Sequence, residues 1–578
     1  MNGINFRRRM LMGAAHYNAS FDLNNYLTIE ALEDNLTVTF TNDIEYTIDG
    51  REWIILTAKN ATQPINIGQT LSFKGELTPN SSTGIGTFTI NKKCNLKGNC
   101  MSMLFGDNAA NNYSLSGKNY AFYKLFYKCT NIVNVDSNFL PATTLANYCY
   151  SHMFTNCSSL TTAPKLPATT LSDRCYDTMF YGCSSLTTAP ELPATTLTSY
   201  CYGEMFRGCS SLTTAPKLPA TKLSSYCYRN MFQDCSSLTT APELPATTLT
   251  THCYHYMFYG CKSLVNAPEL PATKLADYCY GCMFYICSSL TTAPELPATT
   301  LASSCYHNMF QACSSLTTAP KLPATTLKNN CYEHMFQNCS SLTTAPELPA
   351  TTLASYCYSY MFYGCKNLVN APELPATKLA NYCYEYMFSG CNGLTTAPKL
   401  PATTLASYCY GHMFSSCRSL VNAPELPATT LKDDCYEYMF DDCRYLTTAP
   451  KLPATTLAKY CYYNMFYGCK NLVNAPELPA TTLRNDCYSY MFSSCISLVN
   501  APELPATTLA SYCYDHMFSS CKKLNYIKML ATNIPGSYCL NNWVNGVSST
   551  GTFVKNAAMT SLPTGTSGIP SGWTVQNA

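Results

Sequence analysis

The sequence predicts an α/β solenoid, a single stack of short coils with one short strand and one short helix per 26 residues, preceded by a β-sandwich-like domain. Periodicity carries most of this. A cysteine recurs every 26 residues from Cys149 to Cys513, fifteen times, and a second follows eight residues after each, from Cys157 to Cys521. Fixed periods of about 20 to 50 residues belong to solenoids and propellers, and a propeller blade needs about 40 for its four strands. Composition agrees: the chain of 578 residues holds 35 cysteines and 45 tyrosines but only 3 tryptophans, which is not the usage of an ordinary enzyme. A formal net charge of +2 with 12% charged residues excludes a basic nucleic-acid footprint and a polybasic membrane-binding face.

Four regions follow in order. Residues 1–19 are a basic segment containing Arg7, Arg8 and Arg9, and the apolar stretch after them stops at His16, too early for a signal peptide. No apolar run approaches the roughly 18 residues of a membrane span. The chain is therefore expected to fold in a reducing cytoplasm before it reaches a virion or cell surface, with no membrane insertion. Residues 20–118 lack the period and alternate as strands do: Leu27/Ile29, Leu36/Val38/Phe40, Ile44/Tyr46/Ile48, Ile54/Leu56, Ile65/Ile67, Leu71/Phe73 and Phe88/Ile90. Asp49-Gly50 between two such runs signals a tight hairpin. Residues 119–524 are the solenoid. Residues 525–578 hold Trp543, Phe553 and Trp573 among Thr, Gly and Ser, and read as an irregular β-type cap over the open end.

The unit reads L-T-T-A-P-[EK]-L-P-A-T-T-L-x-x-x-C-Y-x-x-M-F-x-x-C. At 100° per residue, Cys149, Met153, Cys157, Tyr150 and Phe154 fall within one arc of about 140°, the apolar face of a helix. Gly182, Gly208, Gly260 and Gly364, each just before the second cysteine, suggest helix exits. Leu160 to Ala163 is short and β-branched, and Pro164 ends that strand because it has no N–H to give. The P-[EK]-L-P segment then reads as an extended turn into the next helix.

Ala121, Phe122, Leu125, Phe126 and Cys129 begin the array, and Cys539, Trp543, Val544 and Val547 end it. Ala and Val there replace column cysteines, as they would if each cysteine is a small buried hydrophobe. Eight helical residues put the two cysteines of a unit roughly 12 Å apart, beyond the ~7 Å limit of a disulfide. Bridges down a column, at about 4.8 Å per coil, would have to pair fifteen members unevenly, so reduced, stacked thiols are the expectation. C-x7-C matches no zinc, haem or iron–sulfur spacing, and no metal or cofactor is expected. Positions 165 to 503 in steps of 26 carry Lys or Glu with no two lysines adjacent, a solvated stripe whose exposed pairs contribute little.

The core Met179-Phe180-Tyr181-Gly182-Cys183-Ser184-Ser185-Leu186-Thr187 resembles the BspA-like class of leucine-rich repeats, whose units carry A-F-x-x-C-x-x-L. The resemblance runs from about residue 119 to 545, with Met in place of Ala and with the P-[EK]-L-P-A-T-T insertion. It implies a surface protein that adheres to host components or other cells. The arginine-rich start and Gly-Thr-rich end resemble repeat proteins carried by phages and prophages of gut Bacteroidales.

No nucleophile elbow, P-loop, HExxH or dinucleotide fingerprint in its required context occurs, so no enzyme is expected. His152, His334, His412 and His516 share one column but never adjacent coils and cannot converge on a metal. Asp433, Asp434, Glu437, Asp441 and Asp442 form an acidic run that reads as a solvated face. The changing positions, rich in Tyr, Ser, Asn, His and Asp, have the composition of adaptable binding surfaces. Candidate ligand contacts are Tyr256, Tyr360, Tyr386 and Tyr438, read as pointing to solvent, with the four column histidines. The expected partner is a protein or glycan on a cell surface, not nucleic acid, with virion or homo-oligomeric assembly through the N-terminal region. The alternative is a rigid spacer or virion decoration without its own ligand.

Overall fold

The computed structural model describes residues 22–578; the basic segment at 1–19 lies outside the described residues. The N-terminal region forms seven strands, β1 (Leu27–Ala31), β2 (Val38–Phe40), β3 (Ile44–Ile48), β4 (Ile54–Leu56), β5 (Thr70–Lys74), β6 (Phe88–Ile90) and β7 (Cys94–Gly98). Asp49 and Gly50, both at positive φ, turn β3 into its antiparallel neighbour β4, the hairpin that Asp-Gly predicts. The main sheet has the order β4-β3-β5-β1-β7-β8, and its last member, β8 (Ile132–Val135), belongs to the first coil of the repeat array. The pair β2–β6 packs on this sheet through Phe88, 5.1 Å from Phe73. The N-terminal layer thus runs into the solenoid through the β7–β8 pair, without a break in the core.

The repeats stack as coils, but the helix expected in each is absent. Among the described residues the sole α-helix is α1 (Ser102–Phe105), outside the repeats. Where the helix was expected, the chain forms a ribbon of overlapping β-turns. The N–H groups of Ser151, Met153, Thr155 and Cys157 bond back three residues, to the carbonyls of Tyr148, Tyr150, His152 and Phe154. Those of Tyr150, His152, Phe154 and Asn156 bond across to the next coil, to Cys175, Asp177, Met179 and Tyr181. The backbone donors of this coil's ribbon are therefore paired, alternately within and between coils, as burial demands. Every second turn carries a positive-φ residue third, as a type II turn requires: Tyr148 (59°), His152 (58°) and Asn156 (61°). The glycines read as helix exits occupy this third column, Gly182 at φ 71° and Gly364 at 70°.

On the other side of each coil the chain is extended. Pro164, Leu166 and Ala168 alternate inward with Lys165, Pro167 and Thr169 outward. Two prolines per unit remove the donors that a continuous ladder would need, so the coils meet there as single-residue parallel bridges, Thr162 to Thr188 to Thr214 and Thr144 to Thr170. Longer strands appear once the prolines stop. β9 (Asn500–Leu504) pairs with β10 (Tyr526–Met529), then β11 (Thr552–Lys555) and β12 (Thr574–Asn577), all parallel. β10, β11 and β12 contain no proline, and β10 pairs back onto β9, which still carries Pro502. The C-terminal region is thus more regular than the irregular cap expected of it.

Inside, identical side chains lie one above another. Tyr150, Tyr176 and Tyr202 form one ring column with centroid steps of 5.7 and 5.8 Å, and Phe154, Phe180 and Phe206 another at 5.6 and 5.7 Å. These centroid steps are wider than the about 4.8 Å of paired strands, so the rings of each column lie offset rather than face to face at closest contact. Both columns end on Trp543, fully buried, whose Nε1 donates to the Gly568 carbonyl at 2.8 Å.

All 35 cysteines are free and buried. The second column has a polar task as well as a packing one. Its thiols donate to the phenylalanine carbonyl of the preceding coil, Cys183 to Phe154 at 3.1 Å and Cys339 to Phe310 at 3.0 Å, a contact Val547 at the end of the array cannot make. Burial pushes these thiols well above their ordinary range, Cys365 to about 12, which keeps them protonated and unreactive.

Candidate functional site

The turn ribbon presents the positions that change between repeats. Because its turns repeat every four residues, positions 148, 152 and 156 and their 26-step equivalents form three parallel rows of positive-φ residues. The third row holds mostly Gly, Asn, Asp and Ser; the first two are rich in Tyr and His.

All eight candidate contacts lie in the middle row and are half-buried, not pointing freely into solvent. The reason is the coil spacing, which lets each ring cover the next. Five of them join into one ladder: His334, Tyr360, Tyr386, His412 and Tyr438, with successive centroids 4.6, 4.5, 4.0 and 4.4 Å apart. The other three stand elsewhere. Tyr256 meets the edge of His255 at 4.2 Å, His152 lies beside Ser151 at 2.9 Å, and His516 stacks on Tyr490 at 4.5 Å with Asp515 2.8 Å from its Nδ1.

The first row supplies rings that were not among the candidates. Tyr356, Tyr382 and Tyr408 stack at 4.5 and 4.6 Å, and Tyr200, Tyr226, His252 and Tyr278 at 4.4, 4.6 and 4.7 Å. Their signal in the sequence was available: tyrosine and histidine recur four residues before the middle row, at the same changing positions.

Carboxylates flank the five-ring ladder. Glu437 Oε1 lies 3.1 Å from His412 Nε2, and Ser415 donates to Asp441 at 3.1 Å. Burial, reinforced by Glu437, lifts the carboxyls of Glu385 and Asp434 to about 7, while burial holds the His412 imidazole down at about 4. Asp442 is the exception in the acidic run: Arg444 Nε at 2.7 Å and Arg418 Nη2 at 2.9 Å outweigh its partial burial and keep its carboxyl below the ordinary value. Among the described residues no group of three or more His, Cys, Asp or Glu is arranged to hold a metal ion. No helix among them is long and apolar enough to cross a membrane. The Lys/Glu stripe lies on the opposite, extended side, and its one close ion pair among the described residues is Lys528–Glu503 at 3.0 Å.

The repeat array matches a known repeat class. The family model of the BspA type leucine-rich repeat region, in 6 copies, matches residues 102–239, 225–369, 306–447 and 434–546. No curated protein and no solved structure matches the chain.

Proposed function

The chain belongs to the BspA type leucine-rich repeat family, and from that premise we propose that it is a non-enzymatic recognition protein, displayed on a cell surface or virion, whose turn ribbon contacts a protein or glycan. The proposed display follows export or assembly after folding in a reducing compartment, with the N-terminal region as the element that anchors or assembles it. Repeats of this family commonly belong to surface and adhesion proteins. The observation that carries the reading is the confinement of variation. Cys, Tyr, Met, Phe and Leu in the buried columns scarcely change, while the half-buried rows run through Tyr, His, Asn, Glu and Thr. Packing alone explains the fixed columns. The varied rows present rigid aromatic groups already ordered by stacking, so little side-chain entropy is lost when they meet a partner.

The test is replacement of Tyr256, Tyr360, Tyr386 and Tyr438 together by Ser. The buried columns do not depend on these rings, so the fold stays intact by circular dichroism, and attachment of labelled protein to bacterial cells and to extracellular matrix falls about tenfold or more. Attachment equal to wild type would favour a rigid spacer or virion decoration.

A further inference from the structure

A groove of ≈ 580 Å³ crosses the turn ribbon near the start of the array. Four cations from different coils line it, Lys128, Arg174, Arg207 and Arg229, against two carboxylates, Asp177 and Glu204. We propose that this groove binds an acidic saccharide, a sugar carrying a carboxylate or sulfate among its hydroxyls; the proposal rests on the recognition reading above and assigns a ligand class to one part of the ribbon.

The guanidinium groups are positioned in advance. Arg174 takes the place of a ring in the first row, 3.7 Å over Tyr200 and 5.6 Å from Tyr148, with Nη1 3.4 Å from Asp177. Arg207 Nη1 donates to Glu204 at 2.8 Å. Arg229 reaches Glu204 only at 4.0 Å. The three side chains remain 32%, 32% and 37% exposed, so N–H groups are left for a ligand. Fixed forks with spare donors are what planar carboxylate or sulfate recognition needs.

The two carboxylates decide between classes of anion. The Glu204 charge repels a polyphosphate or nucleic-acid strand, and both carboxyls can hydrogen-bond sugar hydroxyls. The volume suits roughly one or two sugar rings, and the walls are polar, with no deep apolar pocket for a lipid or aromatic ligand. Burial also lifts the Asp177 carboxyl to about 7, so near neutral pH it can donate as well as accept.

The experiment is calorimetric titration of the full chain with a galacturonate trisaccharide, a heparin-derived tetrasaccharide, a neutral glucose trisaccharide and inorganic polyphosphate. One or both acidic sugars should bind, the neutral sugar should not, and the carboxylate and sulfate arms identify which acid group the groove takes. R207Q/R229Q, and separately Lys128→Gln in another coil, should weaken binding, the double variant about tenfold or more, while K321Q/K451Q, on the extended side of the stack, should bind as wild type. Undiminished binding by the correctly folded groove variants, or polyphosphate competing as well as the sugars, would overturn the proposal. Wild-type protein that attaches to cells yet binds neither acidic sugar overturns this assignment alone; protein that does neither removes the recognition reading with it.

Discussion

Glu385 and Asp434 lie among stacked rings on the ribbon, and their carboxyls titrate at about 7 instead of near 4 because burial favours the neutral form. A folded-state value above the unfolded one means that the native state binds the extra proton in that interval. Stability therefore falls as pH rises towards the folded value, and the contribution is fully present only in acid. His152 and His412 oppose this, since burial holds both near 4, so each costs stability once pH drops below the ordinary imidazole value. From about pH 8 to about pH 6.5 only the carboxyls act, and the melting temperature should rise; below that His152, His412 and His255, the last held near 3 by burial, offset Glu385, Asp434 and Asp177, and the rise should level off. E385Q/D434N should flatten the upper limb in thermal unfolding followed by circular dichroism. Asp177, also near 7, leaves a residual slope. A double variant that keeps the whole wild-type slope would show that these two carboxyls are not the source.

At the scale of the element, the turn ribbon departs from sequence-based expectation because its apolar spacing satisfies both structures. Cys149, Met153 and Cys157 recur every four residues, which a helix of 3.6 residues per turn tolerates with about 40° of drift per step, and which a chain of paired turns meets with none. The Gly, Asn and Asp of the third row announce positive φ and read as a helix exit only because they were taken once per unit. Tyr, the commonest residue of the other two rows, gave no such signal, since a bulky ring rarely adopts that conformation. Glycine exchange separates the two structures by sign. Ala312 sits at φ 59°, and Gly390 at φ 73° has ordinary contact distance, 3.7 Å, around an added Cβ. Ala312→Gly should therefore stabilise by about 0.5–1 kcal/mol and Gly390→Ala should destabilise by about 1 kcal/mol, both by chemical denaturation. In an α-helix both signs would invert. The strands β1–β6 and the Asp49-Gly50 hairpin were legible, because period-two alternation and a tight turn have no helical counterpart. The candidate site was legible by column, since identity per repeat marks what changes. Its ladder was not, because ring stacking depends on a coil step that no spacing along the chain reports.

Across the whole molecule, one aromatic column joins the two ends. It starts at Phe88 on β6, 5.3 Å from Phe126 in the first coil, continues through the phenylalanines of every repeat, and closes on Trp543, 6.0 Å from Phe518. The tyrosine column closes on the same indole at 6.4 Å from Tyr514. Interior coils contact only coils like themselves, so their stability is a sum of repeated terms and neighbouring interfaces, and removing one 26-residue unit brings matching rings, thiols and turn carbonyls back into register. The ends have no such substitute. Trp543 and Phe553 are fully buried and Trp573 nearly so, covering a cross-section of Tyr, Phe, Met and Cys that would otherwise meet water. An internal deletion of residues 288–313 should leave a soluble monomer with a nearly unchanged melting temperature. Truncation after residue 524 should expose both ring columns and the unpaired edge of β9, and cause aggregation measurable by light scattering. A truncated chain that stays monomeric and melts as wild type would mean that the last coil needs no lid, and that the terminal tryptophans serve something other than closure.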